Sequence, residues 1–204
     1  MKRNKSSSRF VASANSYKYL PECGDIEIAF AGRSNVGKSS LLGAVLGQSK
    51  IVRTSRTPGR TQSLNLFLLE EQIALVDLPG YGYAKLPKTH RQAIEEMLRS
   101  YLKARIQLVG VVLLVDARRE QVSDLDQAFA KWVLQNQRKL LLVITKSDLI
   151  PKTRRSHVIN KIESDLNFSK GTALLCSAHT GDGISELKKT LWQLVNESTI
   201  NITR

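Results

Sequence analysis

A chain of 204 residues with 42% hydrophobic content can bury one substantial core, and it reads as a single domain. Its 31 Lys and Arg against 18 Asp and Glu leave a formal charge of +13. A basic surface of that size favours polyanionic partners, nucleic acid first and an anionic membrane second, with a merely basic enzyme as the plain alternative. No apolar run reaches the roughly 18 residues of a membrane span, and the basic N-terminus lacks the apolar centre of a secretory signal, so a cytoplasmic protein without stable membrane association is expected. Cys23 and Cys176 are too few and too far apart for a zinc site or a disulfide framework, and two reduced thiols are expected.

Residues 1–25 place Lys2, Arg3, Lys5 and Arg9 among serines and read as a basic N-terminal extension, either a binding arm or a frayed end, with more order near Phe10 and Val11. The folded domain is expected over residues 26–197, with a short tail over 198–204. Ile26 to Ala31 is an apolar strand and Ser39 to Leu46 a helix. Gln48 to Ser63 carries Lys50, Arg53, Arg56 and Arg60 and a Pro58-Gly59 turn without apolar periodicity, which predicts a loop. Leu64 to Leu69 and Gln72 to Asp77 read as two strands joined by a short turn at Glu70 and Glu71. A loop over 81–87 leads to a helix from about Thr89 to Lys103. Val109 to Asp116 is a near-continuous apolar run, as expected of a strand covered on both faces. Then come a helix over 124–136, a buried strand over 140–144, a helix over 154–166, a strand over 173–176 and a helix over 184–195. The pattern predicts an α/β fold: a mostly parallel six-stranded sheet with one antiparallel edge strand and helices on both faces. Ligands of such sheets bind outside the carboxyl ends of the strands.

Three motifs follow such strand ends. Gly32-Arg33-Ser34-Asn35-Val36-Gly37-Lys38-Ser39 has the spacing of a P-loop between a strand and a helix N-terminus, where unpaired N–H groups and the helix dipole favour phosphate. Lys38 would reach the β- and γ-phosphates, and the Ser39 hydroxyl would take a Mg²⁺ position. Asp77-Leu78-Pro79-Gly80 ends a strand with a carboxylate able to hold Mg²⁺ through water, then a glycine whose N–H can contact a γ-phosphate. Thr145-Lys146-Ser147-Asp148 selects the base. The Asp148 carboxylate can accept from both N1–H and the exocyclic amino group of guanine, and adenine would leave it unpaired. Cys176-Ser177-Ala178 could supply a backbone N–H to the guanine oxygen.

On these residues, together with Thr57 to Gln62 and Tyr81-Gly82-Tyr83-Ala84, nearly the whole chain resembles the EngB family of bacterial ribosome-assembly GTPases, also called YihA or YsxC. The resemblance implies GTP and GDP as ligands, Mg²⁺, a role in large-subunit maturation and a link to cell division and septation. It implies Ser39 and Thr61 as Mg²⁺ ligands, and Gly59, Arg60, Thr61, Gln62 and Ser63 as a first switch acting on phosphate with Lys38 and Gly80. The guanine site is then Thr145 to Asp148 with Cys176 to Ala178. The partner implied is the large ribosomal subunit or an assembly intermediate, bound through ribosomal RNA by a monomer. Tyr81 stands where Ras-like GTPases carry the water-orienting glutamine, so slow intrinsic hydrolysis is expected. Asn35 resembles the P-loop asparagine of K⁺-activated GTPases, the alternative being that it only shapes the loop. Arg53, Arg56 and Arg60 suit RNA phosphates, or a γ-phosphate in cis. A metabolic P-loop kinase or ATPase is the competing class, and Asp148 in its motif speaks against it. A division GTPase held at the membrane is disfavoured by the lack of an anchor.

Overall fold

The structure, a computed structural model, describes residues 8–48, 52, 63–82, 87–119 and 121–202. Among these residues seven strands form one sheet: β1 (Arg9–Ala14), β2 (Ile26–Gly32), β3 (Leu64–Leu69), β4 (Ile73–Asp77), β5 (Leu108–Asp116), β6 (Lys139–Thr145) and β7 (Leu174–Leu175). The helices are α1 (Lys38–Val45), α2 (Lys88–Ala104), α3 (Asp124–Gln135), α4 (Lys152–Asp165) and α5 (Ile184–Ile202).

The spatial order is β1-β3-β4-β2-β5-β6-β7, and β3 runs antiparallel to both of its neighbours while the remaining pairs are parallel. The mostly parallel α/β fold agrees with the pattern in the sequence. Two details differ. A seventh strand, β1, lies within the 1–25 segment expected as an extension, and it covers β3, so the antiparallel strand is not the sheet's edge. Helix α5 also continues to Ile202, past residue 197 where the tail was expected. The register of β1 shifts between Phe10 and Ala12, which breaks the period of two by which a strand is read from sequence.

Alternation along the strands sorts their side chains onto two faces. Ile28, Phe30, Leu75 and Val112 pack against Leu41, Leu42 and Val45 of α1 and Leu187 and Leu191 of α5. Ala29, Ala31, Val76, Val111 and Leu113 pack against Leu98 and Leu102 of α2, Phe129 and Val133 of α3 and Ile162 of α4. Each fully buried side chain of this kind stabilises by about 1.5–3 kcal/mol, so both faces need their helices.

The end of the sheet where β2 begins is closed by charge instead. Glu27, buried on β2, accepts from the Tyr101 hydroxyl at 2.6 Å and from Arg105 Nε at 3.0 Å. Arg105 also donates to the carbonyls of Leu20 and Pro21, and Arg138 to those of Leu108 and Arg105. Burial and the Glu27 carboxylate push the Tyr101 phenol well above its ordinary pKa. At the opposite end, the chain leaves β2 toward β4 on one side and β5 on the other, and this switch of direction opens a crevice at the carboxyl ends. Among the described residues no helix is long and apolar enough to cross a membrane.

Candidate functional site

Gly32 ends β2 and Lys38 opens α1, so Gly32 to Ser39 is the strand-to-helix turn expected. The turn needs left-handed backbone at Asn35 (φ 66°) and at Gly37 (φ 99°), the N-cap of α1. Glycine adopts that conformation without a Cβ clash. Lys38 is buried and donates to Asp77 Oδ1, which ties the P-loop to the carboxyl end of β4. Ser39 Oγ is buried with no hydrogen-bond partner among the described residues. A buried hydroxyl usually finds a partner; a cation with phosphate oxygens around it would supply one, so this position fits Mg²⁺. Among the described residues no cluster of three His, Cys, Asp or Glu could hold a metal by itself.

The segment after β4 returns to the P-loop. Ser34 N–H donates to the Tyr81 carbonyl at 3.1 Å, and Ser34 Oγ lies 3.5 Å from the Gly80 carbonyl. A Cβ at Gly80 would stand 3.0 Å from Ser34 Oγ and 3.1 Å from its backbone, so glycine allows this close approach.

The third motif is equally built in. Thr145 is buried, and its hydroxyl donates to the Val36 carbonyl at 2.7 Å. Lys146 takes left-handed backbone (φ 60°), and its Nζ reaches the Asn35 carbonyl at 2.7 Å, with its Cε beside Gly37. Thus Thr145 and Lys146 brace the P-loop backbone from below and from the side. Ser177 Oγ donates to Asp148 Oδ1 at 2.6 Å, and this bond holds the Asp148 carboxyl below its ordinary pKa. Ser177 Oγ in turn accepts from the N–H groups of His179 and Thr180, so the carboxylate is oriented by a fixed turn. Cys176 is buried; its N–H donates to the Ile144 carbonyl and its carbonyl accepts from Ser147 N–H. Burial pushes its thiol up to about 12. Both cysteines are free thiols, as expected.

A protein-family model described as "50S ribosome-binding GTPase" matches residues 27–146, which run from β2 through Lys146. "Probable GTP-binding protein EngB" of Haemophilus ducreyi is 46% identical over 193 residues, covering 94% of this chain and 91% of that one. The protein of the same description from Lactiplantibacillus plantarum is 41% identical over 191 residues, covering 93% and 94%. The chain belongs to the EngB family of GTP-binding proteins. It is a GTPase. Among solved structures, a probable GTP-binding protein EngB superposes with a TM-score of 0.70 at 26% identity, covering 84% of this chain and 99% of that chain. Era in complex with MgGDPNP and a 16S ribosomal RNA fragment shares the fold, with a TM-score of 0.63 at 20% identity over 85% of this chain and 57% of that one.

Within this EngB-family chain, the P-loop, Asp77 to Gly80, Thr145 to Asp148 and Cys176 to Ala178 all lie at the carboxyl edge of the sheet. Ser63 precedes β3, and Gly59, Arg60, Thr61 and Gln62 fall outside the described residues. Two features escape the motifs. Tyr81 turns toward α3, where its hydroxyl donates to Asp126 Oδ1 at 2.8 Å and its ring stacks on Phe129 at 5.1 Å. Burial first, and the Asp126 carboxylate second, push the phenol well above its ordinary pKa. Asp116, at the end of β5, accepts from Lys146 Nζ at 2.8 Å and from Arg118 Nη2 at 2.7 Å. Burial works to raise its pKa, but the Arg118 and Lys146 hydrogen bonds outweigh that and hold it well below the usual carboxylate range. A carboxylate closing an apolar strand, as Asp77 does, was the available signal for Asp116. His90 is exposed at the start of α2, away from any such cluster.

Proposed function

We propose that the chain is a GTP-controlled switch in the maturation of the large ribosomal subunit, with slow intrinsic hydrolysis. The observation that carries the reading is the direct contact of Ser34 in the P-loop with the carbonyls of Gly80 and Tyr81, which lets the occupant of the phosphate site bear on the segment after β4. In this reading Gly32 to Ser39 cradle the phosphates, and Ser39 with Thr61 holds Mg²⁺. Held there, Mg²⁺ would supply positive charge against the negative charge that develops on the phosphates. Lys38, Thr61 and the Gly80 N–H then respond to the γ-phosphate. Gly59 to Ser63 and Asp77 to Gly80 form the two nucleotide-responsive segments, and Thr145 to Asp148 with Cys176 to Ala178 hold guanine.

Slow hydrolysis follows from Tyr81, whose hydroxyl is engaged by Asp126 and whose ring lies on Phe129. Without a water-orienting side chain, turnover is expected on the order of 10⁻⁴ to 10⁻² s⁻¹, awaiting a partner. Asn35 is the candidate through which K⁺ would act, and equal rates in K⁺ and Na⁺ would remove that assignment. The ribosomal partner is supported by the family description that matches residues 27–146 and by the +13 charge. The remaining parts of the reading are a cytoplasmic monomer, a GTPase domain over 26–197 to which β1 of the N-terminal extension adds a strand and from which α5 runs on to Ile202, and a requirement in cell division and septation.

The test is co-sedimentation with large ribosomal subunits at two salt concentrations, with GDP or a non-hydrolysable GTP analogue. Binding that needs the GTP analogue and weakens with salt is expected. Equal binding in both nucleotide states, or none in either, would overturn the switch on the mature subunit.

A further inference from the structure

Beside the nucleotide site, between the loop after β5 and one face of α4, lies a cleft of about 400 Å³. Five basic side chains line it: Arg118 and Arg119 from the loop, and Arg154, His157 and Lys161 from the helix, with Ile150 among its apolar wall residues. The three helical residues stand at i, i+3 and i+7, so they form one row along a single face. At 1.5 Å per residue that row extends roughly 10 Å, longer than one phosphate group.

Among the described residues no acidic side chain lines the cleft. Two of its cations are held from behind, Arg118 by Asp116 at 2.7 Å and Lys161 by Asp165 at 2.5 Å. Arg119, Arg154 and His157 make no side-chain hydrogen bond among the described residues, and all three are exposed. The pattern is therefore two tethered cations that shape the groove and two exposed arginines available to an anion. A concave groove lined by four Lys and Arg side chains suits a strand that can lie in it; a planar membrane surface meets only the rim. Arginine suits phosphate because its fork donates two parallel hydrogen bonds.

We propose that this cleft is a docking groove for the phosphodiester backbone of single-stranded or looped RNA. The proposal deepens the ribosomal reading above and rests on it for the identity of the natural partner. The groove contacts backbone and not bases, so it supplies affinity and register without sequence preference.

The full chain is titrated, in its GDP form and with a non-hydrolysable GTP analogue, into a fluorescein-labelled oligouridylate of about 16 nucleotides at salt concentrations from about 50 to 200 mM, followed by anisotropy. The cleft variant is Arg119→Ala with Arg154→Ala, neither of which touches the nucleotide site. The control is Lys103→Ala with Lys189→Ala, which removes the same charge from exposed positions elsewhere. Loss of two phosphate contacts should flatten the slope of log K against log salt by about 1.4 and weaken binding about tenfold or more at the lowest salt, whereas the control pair should change affinity less than about twofold. GDP affinity and the unfolding midpoint should be unchanged in both. Equal losses in the two variants, no loss in the cleft variant, or no RNA binding by the parent chain would each overturn the groove. Tighter binding to phosphatidylserine vesicles than to RNA through the same two arginines would overturn the choice of ligand. The cleft variant is also taken through the ribosome co-sedimentation. Subunit binding that survives a negative RNA result leaves the ribosomal reading standing and removes only the groove, while RNA binding through the cleft without subunit binding does the reverse.

Discussion

The position of Tyr81 makes the most discriminating prediction. Replacing it by phenylalanine deletes the hydroxyl that donates to Asp126 at 2.8 Å and keeps the ring that stacks on Phe129 at 5.1 Å. Asp126 is buried on the first turn of α3, where its other oxygen accepts from Ser123 Oγ at 2.7 Å. A hydrogen bond to such a carboxylate contributes about 1.5–3 kcal/mol, and its loss leaves a buried acceptor short of a partner. For a chain of this length that corresponds to a fall in Tm of about 3–12 °C. Because the hydroxyl is committed to α3, kcat for intrinsic GTP hydrolysis should stay within about twofold of the parent. The pH dependence has a definite sign. The folded phenol ionises well above its ordinary value, so its contribution is fully present below about pH 10 and is lost as the unfolded chain ionises above that, and the stability gap between parent and variant should narrow only in that alkaline range. Urea unfolding from neutral to alkaline pH and single-turnover hydrolysis test both halves. A tenfold loss of kcat with unchanged stability would refute this role for Tyr81, because the hydroxyl would then serve the reaction and not the helix.

In the proposed guanine site, Asp148→Asn replaces one of the two carboxylate oxygens that would accept from guanine by a donor, so GDP affinity measured by calorimetry should fall by on the order of 10² or more while the melting midpoint of the nucleotide-free chain holds. Glu27→Ala strands the Arg105 guanidinium in a buried site and removes the Tyr101 acceptor, a loss of about 3–5 kcal/mol in chemical unfolding; Glu27→Gln, which keeps an acceptor for Tyr101, should cost less. Asp116 has a depressed folded pKa, so its stabilisation is complete above about pH 4 and is lost as pH falls below that. An Asp116→Asn variant should therefore show a flatter acid-unfolding profile than the parent, and an unchanged profile would count against the assignment.

Much of the candidate site was legible because its motifs are local. A P-loop spacing between an apolar run and a helix, or Asp148 just after a buried strand, needs only neighbours in sequence to be recognised. What stayed hidden depends on partners far along the chain. Strand β1 is written in six mixed residues with a register shift, and its backbone pairs along the edge that β3 offers, 50 or more residues away in sequence. Tyr81 could be flagged as a poor substitute for glutamine, but its orientation is decided by Asp126 and Phe129 on α3. His157, without any constellation in the sequence, becomes a cleft residue only when α4 is laid beside the loop after β5.

Asp116 sits where the guanine-side lysine and the cleft meet. Its Oδ2 accepts from both Lys146 and Arg118, so neither cation can change its hold without altering what is left for the other. An anion that draws Arg118 outward would leave Lys146 as the main claimant on that oxygen, and Lys146 is the side chain clasping the P-loop at the Asn35 carbonyl. Thermodynamic reciprocity then demands that whatever factor such an anion imposes on nucleotide affinity, the nucleotide imposes on the anion. Through a single buried carboxylate, an anion in the proposed groove and a nucleotide on the P-loop would then answer to one another across a few ångströms, with no moving domain between them.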